Sequence, residues 1–131
     1  VDSPTRRVDV FNYDLEQGSI HDRRTLIEFD EQDGWPDGMT IDVDGCLWIA
    51  MWGGAKIVVV DSRSGARVRE VAMPVSQPTS CTFGGDGLSE LFITSAWEGM
   101  TQQQREKEPL AGSVFHVPTG SVGLPVERFS F

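Results

Sequence analysis

Apolar and polar positions alternate along most of this chain, in short runs bounded by glycine and aspartate. Val8, Val10, Phe11 and Tyr13, then Ile57 with Val58, Val59 and Val60, then Val114, Phe115 and Val117 are the β-branched and aromatic types that fit a pleated, half-buried sheet. The pattern predicts strands at 8–13, 23–29, from Pro36 to Asp42, and at 47–50, 56–61, 67–73, 79–83, 91–94, 113–117 and 126–131. Asp44-Gly45 and Asp86-Gly87 mark turns, and Asp14 to Gly18 and Asp61 to Gly65 occupy equivalent places between strands.

The runs recur in order. Pro36-Asp37-Gly38-Met39-Thr40-Ile41-Asp42 and Pro78-Thr79-Ser80-Cys81-Thr82-Phe83-Gly84 open two similar segments about 42 residues apart, a blade-sized period. The fold class expected is therefore all-β, a β-propeller of four-stranded antiparallel blades in one domain spanning 1–131. By this repeat, 8–13 and 23–29 are the third and fourth strands of an earlier unit, and Val1-Asp2-Ser3 reads as the end of a second strand. About two and a half blades are expected, fewer than the four or more that close a ring. One segment breaks the rhythm: residues 97–111 form a polar insertion where the preceding repeat has only Trp52-Gly53-Gly54. It reads either as a loop shaping the channel mouth or as a polar decoration with a helical turn at 102–107.

Composition narrows the function classes. With 20 acidic and 11 basic residues the net charge is −9, which argues against nucleic acid or an anionic membrane as partner and is compatible with cation binding. Most of this charge is expected on a solvated surface, including Glu28, Asp30, Glu31 and Asp33 in the loop leading to Trp35. Cys46 and Cys81 fall at different points of the repeat, so no disulfide is expected, and two unpaired thiols fit a reducing cytoplasmic location. Cys81 reads as a small core residue. Asp42 and Asp44 do not make a calcium-binding EF-hand, because Leu47 stands where that loop needs glycine. No serine-hydrolase elbow or phosphate-binding loop is present in the sequence. His21 and His116 have no partner at ligand spacing and read as ordinary turn and strand residues.

The segment from Gly34-Trp35-Pro36-Asp37-Gly38 through Leu47-Trp48-Ile49-Ala50, with Pro78-Thr79-Ser80-Cys81-Thr82-Phe83-Gly84-Gly85 downstream, resembles the SMP-30/gluconolactonase/regucalcin family. Phe11-Asn12-Tyr13-Asp14, the paired Arg23-Arg24, Leu91-Phe92-Ile93-Thr94-Ser95-Ala96 and Ala111-Gly112-Ser113-Val114-Phe115 extend the resemblance along the chain. It implies the C-terminal part of a six-bladed propeller that hydrolyses a sugar lactone with one divalent metal ion. The resemblance implies calcium, zinc, manganese or magnesium as that ion. Aldonolactones are the default substrates, and Asp37 is implied as both metal ligand and catalytic base, with the other ligands upstream of Val1.

The residues keep other readings open. Pro-Asp-Gly is also what a tight turn wants, although Asp37 is expected at the start of an inner strand. Asp2 and Trp35 are candidate substrate-binding residues, Asp2 also fitting a sheet end and Trp35 a plug between blades. Beside the lactonase stand two alternatives, a calcium-binding or regulatory propeller without significant catalysis, and a truncated non-catalytic module. The partners expected are a small-molecule lactone and either the missing N-terminal blades or a second copy.

Overall fold

Three antiparallel sheets stack in sequence in the computed structural model, which describes residues 1–126. The first holds β1 (Arg7–Asp14) and β2 (Ser19–Glu28). The middle sheet is β3 (Trp35–Ile41), β4 (Cys46–Trp52), β5 (Lys56–Asp61) and β6 (Arg67–Ala72), and the last is β7 (Pro78–Gly84), β8 (Glu90–Ser95) and β9 (Val114–Pro118). Each strand pairs with its sequence neighbour, so the middle sheet is one complete blade between parts of two others. The fourth strand expected at 126–131 falls, beyond residue 126, outside the described residues.

Local chemistry sets the hairpins. Asp14 Oδ1 accepts from the amides of Glu16 and Gln17, both at 2.9 Å, and Gly18 closes the turn at φ 63°. Asp61 Oδ1 does the same for Arg63 at 3.1 Å and Ser64 at 2.7 Å, and Gly65 closes at φ 74°. The positive φ suits glycine at both places.

The middle blade is apolar on both faces, and period-two alternation sends its residues to two cores. Ile49, Met51, Val58 and Val60 meet Val8 and Phe29 on the first side. Trp48, Ala50, Ile57 and Val59 meet Cys81, Phe83, Leu91 and Ile93 on the other. Trp48 and Phe83 pack edge to face with centroids 5.4 Å apart. Full burial of each Val, Leu, Ile or Met side chain is worth about 1.5–3 kcal/mol, so sheet-on-sheet stacking dominates the stability. Cys46 and Cys81 are free thiols, and burial pushes the Cys81 thiol up to about 12, which makes it an inert core residue. Residues 119–123 cross back onto the middle blade, where Val43 N donates to Val122 O at 2.8 Å and Arg69 donates to Thr119 O and Ser121 Oγ, both at 3.2 Å.

The insertion contains α1 (Gln102–Lys107), opened by a reciprocal cap between Thr101 and Gln104. Glu108 accepts from Ser76 N at 2.7 Å and Gln77 Nε2 donates to Glu98 O at 3.1 Å, tying the insertion to the strap before β7. Among the described residues, no helix is long and apolar enough to cross a membrane.

Two expectations need correction. Asp33 is not a solvated surface charge: it is 4% exposed and paired with Lys56 Nζ at 2.8 Å and with Arg67. Those cations project from β5 and β6, and only the folded chain brings them to the strap. Asp2 does not end a regular strand; it makes an isolated bridge to Arg7 and precedes a 3₁₀ turn at Ser3–Thr5.

Candidate functional site

The strap from Glu31 to Gly34 delivers the chain into β3. Asp33 Oδ2 accepts from the Asp30 amide at 3.2 Å across the 3₁₀ turn Glu31–Asp33, while the Asp33 carboxylate is also held by Lys56 and Arg67. Gly34 follows at φ 87°, and a Cβ there would overlap the Trp52 carbonyl and the Gly54 amide. Glycine thus lets the strap lie directly against the β4–β5 hairpin, where Trp35 pairs with Trp52.

Pro36, Asp37 and Gly38 do not form a tight turn. They lie inside β3 at an irregularity where the register shifts between Pro36 and Met39. Such a bulge leaves a residue outside the ladder and re-aims its side chain. β7 has the same shift between Pro78 and Ser80, so the bulge belongs to the repeat. The carboxylate does not: Thr79 replaces Asp37 there, and its hydroxyl is engaged with Thr94 Oγ1 at 2.7 Å. Gly38 completes the arrangement, since a Cβ at this position would overlap Ser80 of β7.

Asp37 is half-buried and faces a hollow of about 440 Å³ lined by Ser3, Pro4, Trp35, Pro36, Asp37 and Trp52. Burial raises its carboxyl above the ordinary value of 3.8, opposed by a hydrogen bond from the Gly38 backbone. Among the described residues no cationic side chain is paired with it. Of the three residues singled out in the sequence, the hollow unites Asp37 and Trp35. Asp2 lines an adjoining hollow of about 500 Å³ with Asp9, Phe11 and Arg23, which shares Ser3 and Pro4 with the first, and its carboxylate lies 3.8 Å from Arg23.

Sequence reasoning passed over Trp52, Ser3 and Pro4. Trp52 was legible as the residue ending β4 opposite Trp35; Ser3 and Pro4 reach the hollow only because the N-terminal turn folds back, Ser3 Oγ donating to Pro36 O at 2.6 Å. Among the described residues, no group of three or more His, Cys, Asp or Glu could hold a metal ion. This wall therefore offers one hard oxygen ligand, a carboxylate able to bind a cation or accept a proton, in a largely apolar setting.

One complete four-stranded blade stacked between parts of two others, with a lone carboxylate on a bulge of its first strand, defines a β-propeller segment with a candidate polar site at one end of its strands. A family model described as SMP-30/Gluconolactonase/LRE-like region matches residues 1–97, and the chain belongs to that family. It is 39% identical to regucalcin of Gallus gallus over 131 residues, covering 99% of this chain and 44% of that protein. It is also 38% identical over 115 residues to the Bacillus subtilis protein named "Putative sugar lactone lactonase YvrE", covering 88% of this chain and 39% of the relative. A solved luciferin-regenerating enzyme superposes with a TM-score of 0.85 at 37% identity, covering 95% of this chain and 42% of its own. A calcium-binding protein, regucalcin, from Agrobacterium tumefaciens superposes at 0.88 with 26% identity, covering 98% and 44% respectively. The chain thus spans about two fifths of the length of the curated relatives it matches.

Proposed function

We propose that the complete protein hydrolyses a small lactone with the help of one divalent cation, and that Asp37 is both a ligand of that cation and the base for the attacking water. The observation that carries this reading is the Asp37 carboxylate, half-buried on a strand bulge, facing a hollow and unpaired with any cationic side chain among the described residues. Family membership and the lactonase name of the Bacillus subtilis relative support it. A carboxylate oxygen fits calcium, magnesium or manganese, and zinc also accepts oxygen ligands. When bound, a divalent cation polarises a carbonyl and eases deprotonation of water.

Asp37 contributes the proton acceptor. Its carboxylate takes a proton as water oxygen bonds to the lactone carbonyl carbon; the bond from that carbon to the ring oxygen then breaks, and the ring oxygen leaves as an alcohol on regaining a proton. The hydroxy acid is the product. One carboxylate does not fill the six or more positions calcium takes, so the other ligands belong to blades outside this chain. The remaining strands of the blade to which β1 and β2 belong, or a second copy, are proposed to cover the edge of β1 that carries, among the described residues, only the Asp2 bridge to Arg7, together with the exposed Phe11 and Tyr13.

In the full-length protein, Asp37→Asn is expected to lower cation-dependent lactone hydrolysis by about 10²–10⁴-fold. An unchanged rate overturns the proposal. A second reading, cation binding without turnover, is favoured by the description of the Agrobacterium tumefaciens relative as a calcium-binding protein. It predicts a cation-induced rise in Tm that Asp37→Asn removes, with no hydrolysis across a lactone panel.

A further inference from the structure

The Pro36 carbonyl has a side-chain donor from far away in the sequence: Ser3 Oγ donates to it at 2.6 Å. The register shift between Pro36 and Met39 leaves Asp37 and Gly38 without Cα partners on β4, so the strand ladder does not fix the direction in which Asp37 leaves the backbone. The pyrrolidine ring sets φ of Pro36. Its ψ is then the torsion that swings the Pro36–Asp37 peptide, and the Asp37 side chain with it. A hydrogen bond on the carbonyl of that peptide holds this torsion. From the other side Gly38 lies against β7, where a Cβ would overlap Ser80. The bulge is thus gripped between the N-terminal turn and β7.

The turn that carries Ser3 is itself tied down. Asp2 bridges Arg7, Arg6 N donates to Ser3 O at 3.0 Å, and Phe29 N donates to Arg6 O at 2.9 Å, joining the turn to a core residue. The Arg6 guanidinium also lies 4.9 Å from the ring centroid of Trp35, the residue before Pro36. The matching bulge in β7 is arranged differently. Among the described residues no side chain donates to the Pro78 carbonyl, and Thr79 is fastened through its own hydroxyl to Thr94 at 2.7 Å. The Asp37 carboxylate is held instead through the backbone, by a hydrogen bond from Gly38. Its aim therefore depends on how that backbone is fixed.

We propose that Ser3 is a positioning residue for the candidate site: its hydroxyl holds the Pro36–Asp37 peptide so that the Asp37 carboxylate points into the hollow. The inference rests on the reading of Asp37 as ligand and base, and adds that a residue outside the blade carrying Asp37 sets its aim. In the full-length protein, Ser3→Ala is expected to weaken binding of calcium or manganese ions, titrated calorimetrically, by about tenfold. At saturating cation it is expected to lower kcat for lactone hydrolysis by about 10–100-fold, with KM changed by less than about threefold. Ser3→Thr keeps the hydroxyl and restores most of both.

A double-variant cycle separates aiming from folding. Asp37→Glu keeps the charge but already displaces the carboxylate, so in that background the affinity loss from Ser3→Ala is expected to shrink below about threefold, while any loss of Tm stays the same. An affinity loss of equal size in both backgrounds, or wild-type affinity and kcat in Ser3→Ala, overturns the role of Ser3 and leaves that of Asp37 standing. Wild-type affinity and hydrolysis in Asp37→Asn overturns both, because nothing is left to aim. Coupled affinities with no lactone turned over support the positioning role and overturn the lactonase reading alone. Circular dichroism and Tm show whether Ser3→Ala is folded, and Ser3→Cys, close in size with a weaker donor, repeats the cycle if it is not.

Discussion

Asp42 and Asp33 are both nearly sealed from solvent, at 3% and 4% exposure, yet they are held by different kinds of partner. Asp42 accepts from Asp44 N at 3.1 Å, Cys46 N at 2.8 Å and Trp48 Nε1 at 2.9 Å, joining a hairpin turn to the core indole. Asp42→Ala strands the Trp48 N–H in a dry core and is expected to cost about 1–3 kcal/mol in urea unfolding, with Asp42→Asn costing less because its amide oxygen still accepts. Asp33 is held by charge. The Arg67 guanidinium, then the Lys56 ammonium, hold its carboxyl well below the usual 3.8 despite a burial that pushes the other way. A depressed folded-state pKa contributes stability that is fully present above the unfolded value and is lost as pH falls through the folded one. Asp33→Asn is therefore expected to cost about 2–3 kcal/mol near neutrality, less than a fully buried pair because Arg67 is a third exposed. The gap between wild type and variant should close as unfolding is measured at progressively lower pH below 3.8. A gap that does not narrow rules out the ion pairs as its source.

Two elements carry the geometry at the candidate site. The strap before β3 is clamped at Asp33 and then turns at Gly34, whose φ of 87° and contact with the Trp52 carbonyl admit no side chain. The sequence showed a glycine before a tryptophan and nothing of this contact. The insertion is the other element. Its helical turn was readable from Gln102 to Lys107, but its anchor, Glu108 on the Ser76 amide, joins positions 32 apart. Glu108→Ala is expected to leave Tm nearly unchanged while speeding tryptic cleavage after Arg105 and Lys107, followed by mass spectrometry. Cleavage at the wild-type rate would mean that the anchor does not restrain the loop.

At the scale of the molecule, a blade buried on both faces stands between two sheets that are each covered on one. β1 has β2 on one edge and no strand on the other among the described residues, and Phe11 and Tyr13 are 40% and 62% exposed. If the remaining strands of this blade pair there, amide exchange of the β1 hydrogens that point away from β2 should slow by orders of magnitude in the full-length protein relative to this 131-residue chain. Equal exchange rates would place the junction elsewhere.

The sequence by itself determined most of the strands and their turns, because period-two alternation and the Asp and Gly turn residues act over a few neighbouring positions, whereas the burial of Ile57 to Val60 on both faces of the middle blade came from the sheets stacked on either side of it. It marked Asp37 and Trp35 through local motif. Only the tertiary structure decided that the Pro36-Asp37-Gly38 segment is a strand bulge, that Trp52 joins Trp35 beside the carboxylate while Asp2 faces another hollow, and that Asp33 is buried against cations 23 and 34 residues away. Those outcomes depend on which distant side chains the stacked sheets bring together, and a local pattern records how deeply a residue sits but not whom it meets.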